Sequence, residues 1–407
     1  MKNKVMKDRS ACDDRTYEDE KGNRVERVRL YDQHSIKGMD WPDTEDGRYA
    51  RAYLEPFMLD GTRSYMANVE TTMLLARIDD LVLPLTVNEA EYDNAYVCSP
   101  YTHYVSYAKQ ELAMLQKPVL EKGLSVLLSL LGWGMKRSQI NKVVHVNNWL
   151  FSTNLYPSMT GEQAVRMLAA VQERYPEHIV VFRSLCPELH PDLTEKLKEA
   201  GCRLIPSRQI YLYRAYDPNF GNSKSRWLLK RDDQLLAKHG YEFVSAADMT
   251  ESDIPRIVEL YKLLYLEKYS YHNPQFTERF ITAAMASGTL RIYGLRKEGH
   301  LDAVMGYFCR NGIMTTPLFG YDTAIPQSVG LYRMLSACLI GQARENGHLL
   351  HESAGAAQFK RNRGAVADFE YSAVYERHLP WGRRWCWLLL DRLLNRVGVP
   401  LMRRMKL

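Results

Sequence analysis

One order of secondary structure occurs twice in this chain, and it restricts the fold more than any other feature. The first copy runs strand, helix, strand, helix, strand over 142–152, 160–174, 179–185, 191–199 and 209–214. The second copy repeats that order over 313–321, 326–346, 348–353, 356–363 and 367–375. The copies lie roughly 160 residues apart, which predicts a tandem duplication rather than a solenoid. Strands that alternate with short helices predict the α/β class, with a mixed (α+β) sheet.

The first turn of the second-copy helix carries the clearest functional signal. It consists of Gln327, Ser328, Val329, Gly330, Leu331 and Tyr332. N–H groups at a helix N-terminus lack helical partners and favour an anion. The small residue Gly330 would let a phosphate approach the backbone closely. The matching turn of the first copy contains Glu162, whose charge would repel a phosphate. The sequence therefore predicts a phosphate-binding turn in the second copy.

The length of 407 residues favours two domains, and the segment 217–225 is rich in linker-type residues. We therefore predict four parts, namely an extension rich in charge and loops over 1–65, a first copy over 66–225, a second copy over 226–380 and a tail over 381–407. Residues 1–29 are densely charged without an apolar segment, which argues against a signal peptide and predicts a solvated, partly disordered lead-in. The nearly apolar stretch 124–131 predicts a buried core helix, with a lid over an apolar channel as the alternative.

Positive charge is concentrated at the C-terminus. The net charge of the chain is +6, whereas residues 377–407 alone hold eight Lys or Arg and one acidic residue. This distribution argues against a generally basic nucleic-acid binder. The tail 381–407 is apolar at helical spacing and basic elsewhere. It could pack on the protein's own fold, lie on an anionic membrane surface or contact RNA.

The seven cysteines are scattered and form no CxxC pair or ligand-like spacing. With no export signal apparent, we expect free thiols and a cytoplasmic location, with peripheral contact at the inner membrane surface as an option. No metal site is predicted from the sequence.

The order of helices, hairpin, strand, phosphate-type turn and helix resembles the GNAT (Gcn5-related N-acetyltransferase) superfamily. In that superfamily a Q/R-x-x-G-x-G/A turn binds the pyrophosphate of acyl-CoA. Gln327 and Gly330 match this motif, whereas Tyr332 stands where Gly or Ala is usual. The duplication resembles the Fem-type aminoacyltransferases, and the run 355–364 is similar to the Phe-Lys-x-x-x-Gly segment of their second copy. By topology the resemblance covers roughly residues 70–376.

The resemblance implies an acyltransferase that moves an acyl group from acyl-CoA, such as acetyl-CoA, or from a carrier-protein thioester to an amine. It implies a donor site formed by the 327–332 turn together with Lys360 and Arg363. An amine nucleophile must lose a proton, for which we expect Glu352 as general base and His351 as its alternate. Strand alternation predicts that only one of these two faces the cleft. Tyr371 is the candidate general acid.

Two other functions stay open at this stage. The Fem-type resemblance and the basic tail favour an aminoacyl-tRNA-dependent transferase, with tRNA as a partner. A bulky Tyr332 in the donor turn favours a non-catalytic GNAT-like binding protein. The acceptor is expected to be a small-molecule or carrier-bound amine. His272, Asn273 and the polar run 147–154 are candidates for binding it, although a cap and turn around Pro274 explains the first two without function.

Overall fold

The computed structural model describes residues 16–18, 24–112, 118–217 and 220–405. The expected disordered lead-in over 1–29 therefore lies largely outside the described residues. The strands are β1 Thr16–Glu18, β2 Arg24–Glu26, β3 Arg29–Tyr31, β4 Thr72–Ile78, β5 Leu81–Asn88, β6 Val143–Val146, β7 Ile179–Leu185, β8 Arg203–Arg214, β9 Glu242–Ser245, β10 Arg291–Lys297, β11 His300–Arg310, β12 Ile313–Tyr321, β13 Leu349–His351 and β14 Val366–Tyr375.

The helices flank these strands. They are α1 Glu45–Asp60, α2 Tyr107–Leu112, α3 Pro118–Arg137, α4 Gly161–Arg174, α5 Pro191–Glu199, α6 Ser223–His239, α7 Ile254–Tyr261, α8 Glu278–Ser287, α9 Leu331–Glu345, α10 Ala357–Asn362, α11 Trp381–Leu393 and α12 Val399–Met405. A π-helical segment, Leu394–Gly398, joins the last two. The predicted strand–helix order is present in both halves of the chain.

Twelve strands form one continuous sheet in the order β3-β4-β5-β6-β7-β14-β8-β13-β12-β11-β10-β9. This order is symmetric about the centre of the sheet. Each strand from β3 to β8 has a counterpart six strands later in the chain, and the two counterparts lie at equal distances from the centre on opposite sides. The α/β class and the tandem arrangement of two similar folds are thus confirmed. The pattern of parallel contacts agrees as well, since β6 pairs parallel to β7 and β12 pairs parallel to β13.

The last strand of each copy lies in the sheet of the other copy. β14 pairs antiparallel with β7, and β8 pairs antiparallel with β13. The two exchanged strands also pair with each other, from Val366 opposite Leu212 to Val374 opposite Arg203. Main-chain hydrogen bonds therefore join the two copies at the centre of the sheet. The domain boundary at 225 stays a prediction.

Local signals account for many of the helix and strand ends. Thr160 and Gln163 form the predicted capping box at the start of α4. The residue Gly347 has a left-handed backbone (φ 65°) and follows the last residue of the α9 cap. Asp79, at φ 52°, turns the chain between β4 and β5, as the hairpin prediction requires.

Three expectations differ from the structure. The loop-rich extension contains a regular 16-residue helix, α1, which crosses Pro56 because Tyr53 and Phe57 pack into the core. The helix expected from Pro326 begins at Leu331, since the residues before it form a turn closed by a hydrogen bond from Val329 N–H to Pro326 C=O. The buried helix expected over 124–131 belongs to α3, which exposes much of its apolar surface.

Candidate functional site

The parallel strands β12 and β13 separate in the second copy and leave a cavity between them. They pair only from Ile313–Thr315 to Leu349–His351, after which β13 ends and β12 continues to Tyr321. A cavity of about 310 Å³ opens at this point. Its polar lining includes Arg208, Tyr332, His351, Glu352, Ser353 and Lys360. We refer to it as the central cavity.

A second cavity of about 320 Å³ lies at the N-terminus of α9 and is called the turn cavity below. Gln327, Gly330, Leu331, Tyr332 and Arg333 line it. Gly330 is the N-cap, has φ 87° and provides no side-chain cap, so the first N–H groups of α9 have no side-chain partner from the cap residue. The backbone and Arg333 make this a suitable place for an anionic group.

The matching helix start in the first copy is filled by the protein itself. The carboxylate of Asp192 accepts a hydrogen bond from the Gly161 N–H at 2.5 Å. The Thr160 side chain accepts from Gln163 N–H at 3.2 Å. These contacts satisfy the groups that a phosphate would need. They support the prediction that the anion-binding turn is in the second copy.

Tyr332 separates the two cavities. Both cavities share Tyr269, Tyr332, Ala356 and Phe359 in their lining. The Tyr332 ring packs edge-on against Phe359 at 4.8 Å and against Phe319 at 5.6 Å between ring centres. Burial raises the pKa of the Tyr332 phenol far above its usual range, so it stays protonated. A donor that extends from the turn cavity to the central cavity must displace or pass this ring.

Glu352 lines the central cavity and has one carboxyl oxygen without a partner. Its Oε2 is buried and has no hydrogen-bond partner among the described residues. Burial raises the pKa of this carboxyl to about 7, an effect that the charges of Lys360 and Arg363 partly oppose. A group that titrates near neutral pH can both accept and release a proton under working conditions.

His351 also lines the central cavity, although strand alternation predicted that only one of the pair would face it. The strand ends at His351, and Ser353 has a left-handed backbone (φ 55°), so the alternation stops there. The Ser353 N–H donates to His351 Nδ1 at 3.2 Å, and Nε2 lies 3.8 Å from Glu370. Burial lowers the pKa of His351 to about 4. A neutral imidazole of this kind orients neighbouring groups and is a weak base.

Four of the predicted site residues lie outside the lining of both cavities described above. Ser328 is exposed, and Val329 packs on the core beside α9. The Arg363 guanidinium is in an ion pair with the buried Asp232 and stacks on Phe359. Tyr371 lies on β14, with Arg403 among the charges that act on it. Their roles in binding or catalysis stay predictions, and the Arg363 contacts serve mainly to hold α10 against α6.

Lys360 lines the central cavity but points its ammonium group at the backbone. Its Nζ donates to the carbonyls of Glu352, at 2.5 Å, and Ala354, at 2.9 Å. Burial lowers the pKa of Lys360 to about 8, which the neighbouring Glu352 carboxylate partly offsets. Lys360 therefore fixes the loop that carries Glu352.

Replacing Lys360 with Met is expected to reduce stability as well as donor binding, whereas the sequence alone predicted chiefly the second effect. The variant leaves buried carbonyl groups without a donor, which costs roughly 1–3 kcal/mol. Urea unfolding measures this loss. Arg361→Met is the matched control, because Arg361 lies on the same helix and is only partly buried. Equal unfolding free energies for Lys360→Met and the wild type would contradict the role in the loop.

The buried ion pair beside the central cavity was not predicted from the sequence. Arg208 on β8 and Glu370 on β14 face each other across the two exchanged strands, with Arg208 Nη2 3.0 Å from Glu370 Oε2. Arg208 also donates to the Ser152 carbonyl and to Thr153 Oγ1, both at 2.7 Å. This brings part of the 147–154 run to the site. A charged residue in the middle of each apolar strand was the available signal.

Only some residues of the segment predicted to contact the acceptor line the central cavity. Asn273 lines the central cavity, but its amide donates to the Tyr265 and Ser270 carbonyls at 2.9 and 3.0 Å. Thr277 caps α8 by accepting from Phe280 N–H. These bonds support the local turn, as the cap-and-turn alternative predicted. Tyr269 and Ser270 provide the remaining surface of this segment in the cavity.

Comparisons with known proteins agree with the fold. Residues 223–361 match the family model of the acetyltransferase (GNAT) domain. No curated protein matches the chain. Among solved structures, L-PGS from Bacillus licheniformis is 18% identical over 56% of this chain and 75% of its own, with a TM-score of 0.41. FemX is 8% identical over 57% of this chain and 79% of its own, with a TM-score of 0.42.

A conserved protein of unknown function from Bacteroides thetaiotaomicron spans more of the molecule. It is 13% identical over 81% of this chain and 92% of its own, with a TM-score of 0.44. At these identities and scores, we draw no argument about function from the three structures.

Proposed function

Since residues 223–361 form a domain of the GNAT acetyltransferase type, we propose that the protein transfers an acyl group from an acyl-CoA thioester to an amine. Glu352 carries this proposal, because it lines the central cavity with a buried carboxyl group that has an unpaired oxygen, and this cavity adjoins a helix start suited to an anion. The donor would supply an activated acyl group. The residues of the chain bind the two substrates, orient them and move one proton.

The turn cavity suits the phosphates of the donor. The first N–H groups of α9 and the Arg333 guanidinium offer donors to an anion, and Gly330 leaves the backbone accessible. Lys268 adds a positive charge to the lining of the same cavity. The acyl end would enter the gap between β12 and β13, where the two strands have separated. Holding both substrates in this gap accounts for much of the expected rate gain.

Glu352 would remove a proton from the acceptor amine as its nitrogen forms a bond to the acyl carbon. The carboxylate fraction rises as the pH passes about 7, because burial raises the pKa of Glu352 to that value. His351 and Lys360 contact the loop that holds Glu352 and keep it facing the cavity. The phenol of Tyr332 lines the same cavity and stays protonated, so it would donate a hydrogen bond to the leaving thiolate, while the proton from the amine remains on Glu352.

An aminoacyl-tRNA donor is the second candidate, and the surface of α6 favours it. This helix packs beside the turn cavity through the Asp232–Arg333 contact at 2.7 Å. Its exposed face carries Lys224, Lys230 and Arg231. The Arg231 guanidinium lies 4.8 Å from the centre of the exposed Trp227 ring. Basic and aromatic side chains together are suited to nucleic-acid phosphates and bases.

Thermal unfolding with acetyl-CoA, a long-chain acyl-CoA and charged tRNA distinguishes the candidates. We expect an increase in Tm with an acyl-CoA, and a loss of donor affinity of about tenfold or more in Gly330→Ala. A side chain there would meet the buried Leu235 Cδ1 at 3.0 Å and is strained at φ 87°, so the helix start that lines the turn cavity would have to shift.

Gly288→Ala is the control for backbone strain. Gly288 also has a positive φ, of 67°, and a Cβ added there would meet no other atom within 4 Å. It should lose a similar stability and keep the donor affinity. An increase in Tm with charged tRNA alone would favour the second candidate. No increase with any of the three would exclude both and support a non-catalytic binding protein.

A further inference from the structure

The C-terminal helices pack on the fold with one face and expose a second apolar face. Cys386, Trp387, Leu390 and Val399 are buried, so the tail does dock on its own protein. On the other side, four apolar residues at intervals of four are 42–54% exposed, namely Leu389, Leu393, Val397 and Leu401. Burial of the first face therefore leaves a second stripe without a partner in the chain as described.

Arginines flank this exposed stripe. Four arginine side chains near it are exposed, namely Arg392, Arg396, Arg403 and Arg404. The one acidic residue of the tail, Asp391, is 3.4 Å from Arg203 and so is directed at the protein. The exposed stripe is therefore apolar along its length and positive at its margins.

The helix α3 has the same two properties. Val126, Leu127, Leu130 and Trp133 recur at helical spacing and are 60–66% exposed. Basic side chains lie at both ends of this stripe, with Lys122 near the start and Lys136 and Arg137 at the end. The Arg137 guanidinium lies 5.4 Å from the centre of the Trp133 ring.

The two stripes belong to neighbouring elements. A Cβ on Gly134 of α3 would meet the Trp385 ring of α11 at 2.6 Å, so these helices touch. Arg383 Nε donates to the Ser138 carbonyl just beyond α3 at 2.8 Å. Lys109 of α2 donates to Ser129 of α3 at 2.9 Å, and Tyr107 and Gln110 of α2 line the central cavity. The α3 stripe thus lies on a helix that contacts both α11 and a helix of the cavity lining.

We propose that the exposed faces of α3 and of α11–α12 together form a docking surface for an anionic lipid bilayer. The apolar side chains would enter the region between headgroups and acyl chains, and the arginines and lysines would contact lipid phosphates. Among the described residues, no helix is long and apolar enough to cross a membrane.

Charge and composition favour a bilayer over other occupants. A second copy of this chain would bring Arg392 and Arg396 against the same residues across a two-fold contact, where like charges repel. RNA would use the arginines but leave Leu130, Val397 and their neighbours in water. An anionic bilayer is complementary to both properties at once.

Sedimentation of the full chain with vesicles tests the proposal. Vesicles rich in phosphatidylglycerol should bind the protein, and pure phosphatidylcholine vesicles should bind it much less. The pair Arg392→Gln/Arg396→Gln should lower the partition coefficient about 25-fold, at about fivefold for each residue. The pairs Leu130→Ser/Trp133→Ser and Leu393→Ser/Val397→Ser should each lower it by about tenfold or more.

Leu59→Ser is the matched control, because this side chain is similarly exposed on another helix. It should partition like the wild type. Equal partitioning of all variants would overturn the proposal. The proposal would also be overturned if sedimentation velocity showed that the wild type self-associates without lipid whereas the stripe variants do not. Loss of RNA binding in the arginine pair without any vesicle binding would also overturn it.

Discussion

Replacing Glu352 with Gln is expected to lower kcat by roughly 100- to 10,000-fold, the range that a positioned general base contributes. The amide keeps the size of the side chain and cannot accept a proton. Because the carboxylate is costly to bury, the variant should unfold at the same temperature as the wild type or higher at pH 8. Loss of rate without loss of stability is the expected signature.

The pH dependence of the rate gives an independent readout. The pKa of Glu352 is raised to about 7, so the residue is protonated and inactive as a base below that value. The rate should therefore rise as the pH increases through about 7, and this rise should be absent in Glu352→Gln. A residual rate that still follows this titration would assign the base to another group.

Glu376→Gln is the control for a buried carboxylate away from both cavities. Its Oε1 is 2.7 Å from Arg203, and it is fully buried. Removing its charge should lower the unfolding free energy, because Arg203 loses the closer of its two counter-ions. The rate per folded molecule should stay unchanged. A similar loss of rate in both variants would indicate a general structural effect and would contradict the role of Glu352.

Replacing Arg208 with Met is expected to lower the free energy of unfolding by roughly 3–5 kcal/mol, since it leaves the buried Glu370 charge without its partner. The pair joins the two exchanged strands at the centre of the sheet. The double variant Arg208→Met/Glu370→Leu should recover much of the loss, because it removes both charges together. Urea unfolding at neutral pH measures all three proteins.

The same pair predicts how stability changes with acid. Burial alone would raise the pKa of Glu370, but the charges of Arg208 and His351 hold it below its ordinary value of 4.5. A carboxyl with a lowered folded-state pKa contributes stability that is complete above 4.5 and is lost as the pH falls through the folded-state value. This loss should be absent in the double variant.

Arg48→Met is the control for this experiment. Arg48 pairs with Asp43 at 2.6 Å, but the two side chains are 66% and 95% exposed. An exposed ion pair contributes roughly 0–1 kcal/mol. Equal losses for Arg48→Met and Arg208→Met would show that burial does not determine the contribution of the central pair.

Local sequence signals determined much of the framework. The capping box at Thr160, the turn at Asp79 and the apolar strands of both copies depend on neighbours within a few residues, so they could be predicted from spacing and residue type. The turn at Gly330, which we propose binds an anion, could be found in the same way. Its helix starts later than predicted, because the preceding residues satisfy a turn of their own.

Only the tertiary structure decided which strands meet and which faces are covered. The sequence predicted β8 and β14 as strands, but strand periodicity carries no information about the partner across the sheet. Their exchange creates the Arg208–Glu370 pair and places Arg208 in the lining of the central cavity together with Glu352. In the same way, the apolar residues of α3 fit a buried helix by pattern. Whether such a face is covered depends on contacts between distant segments, and here it is left exposed.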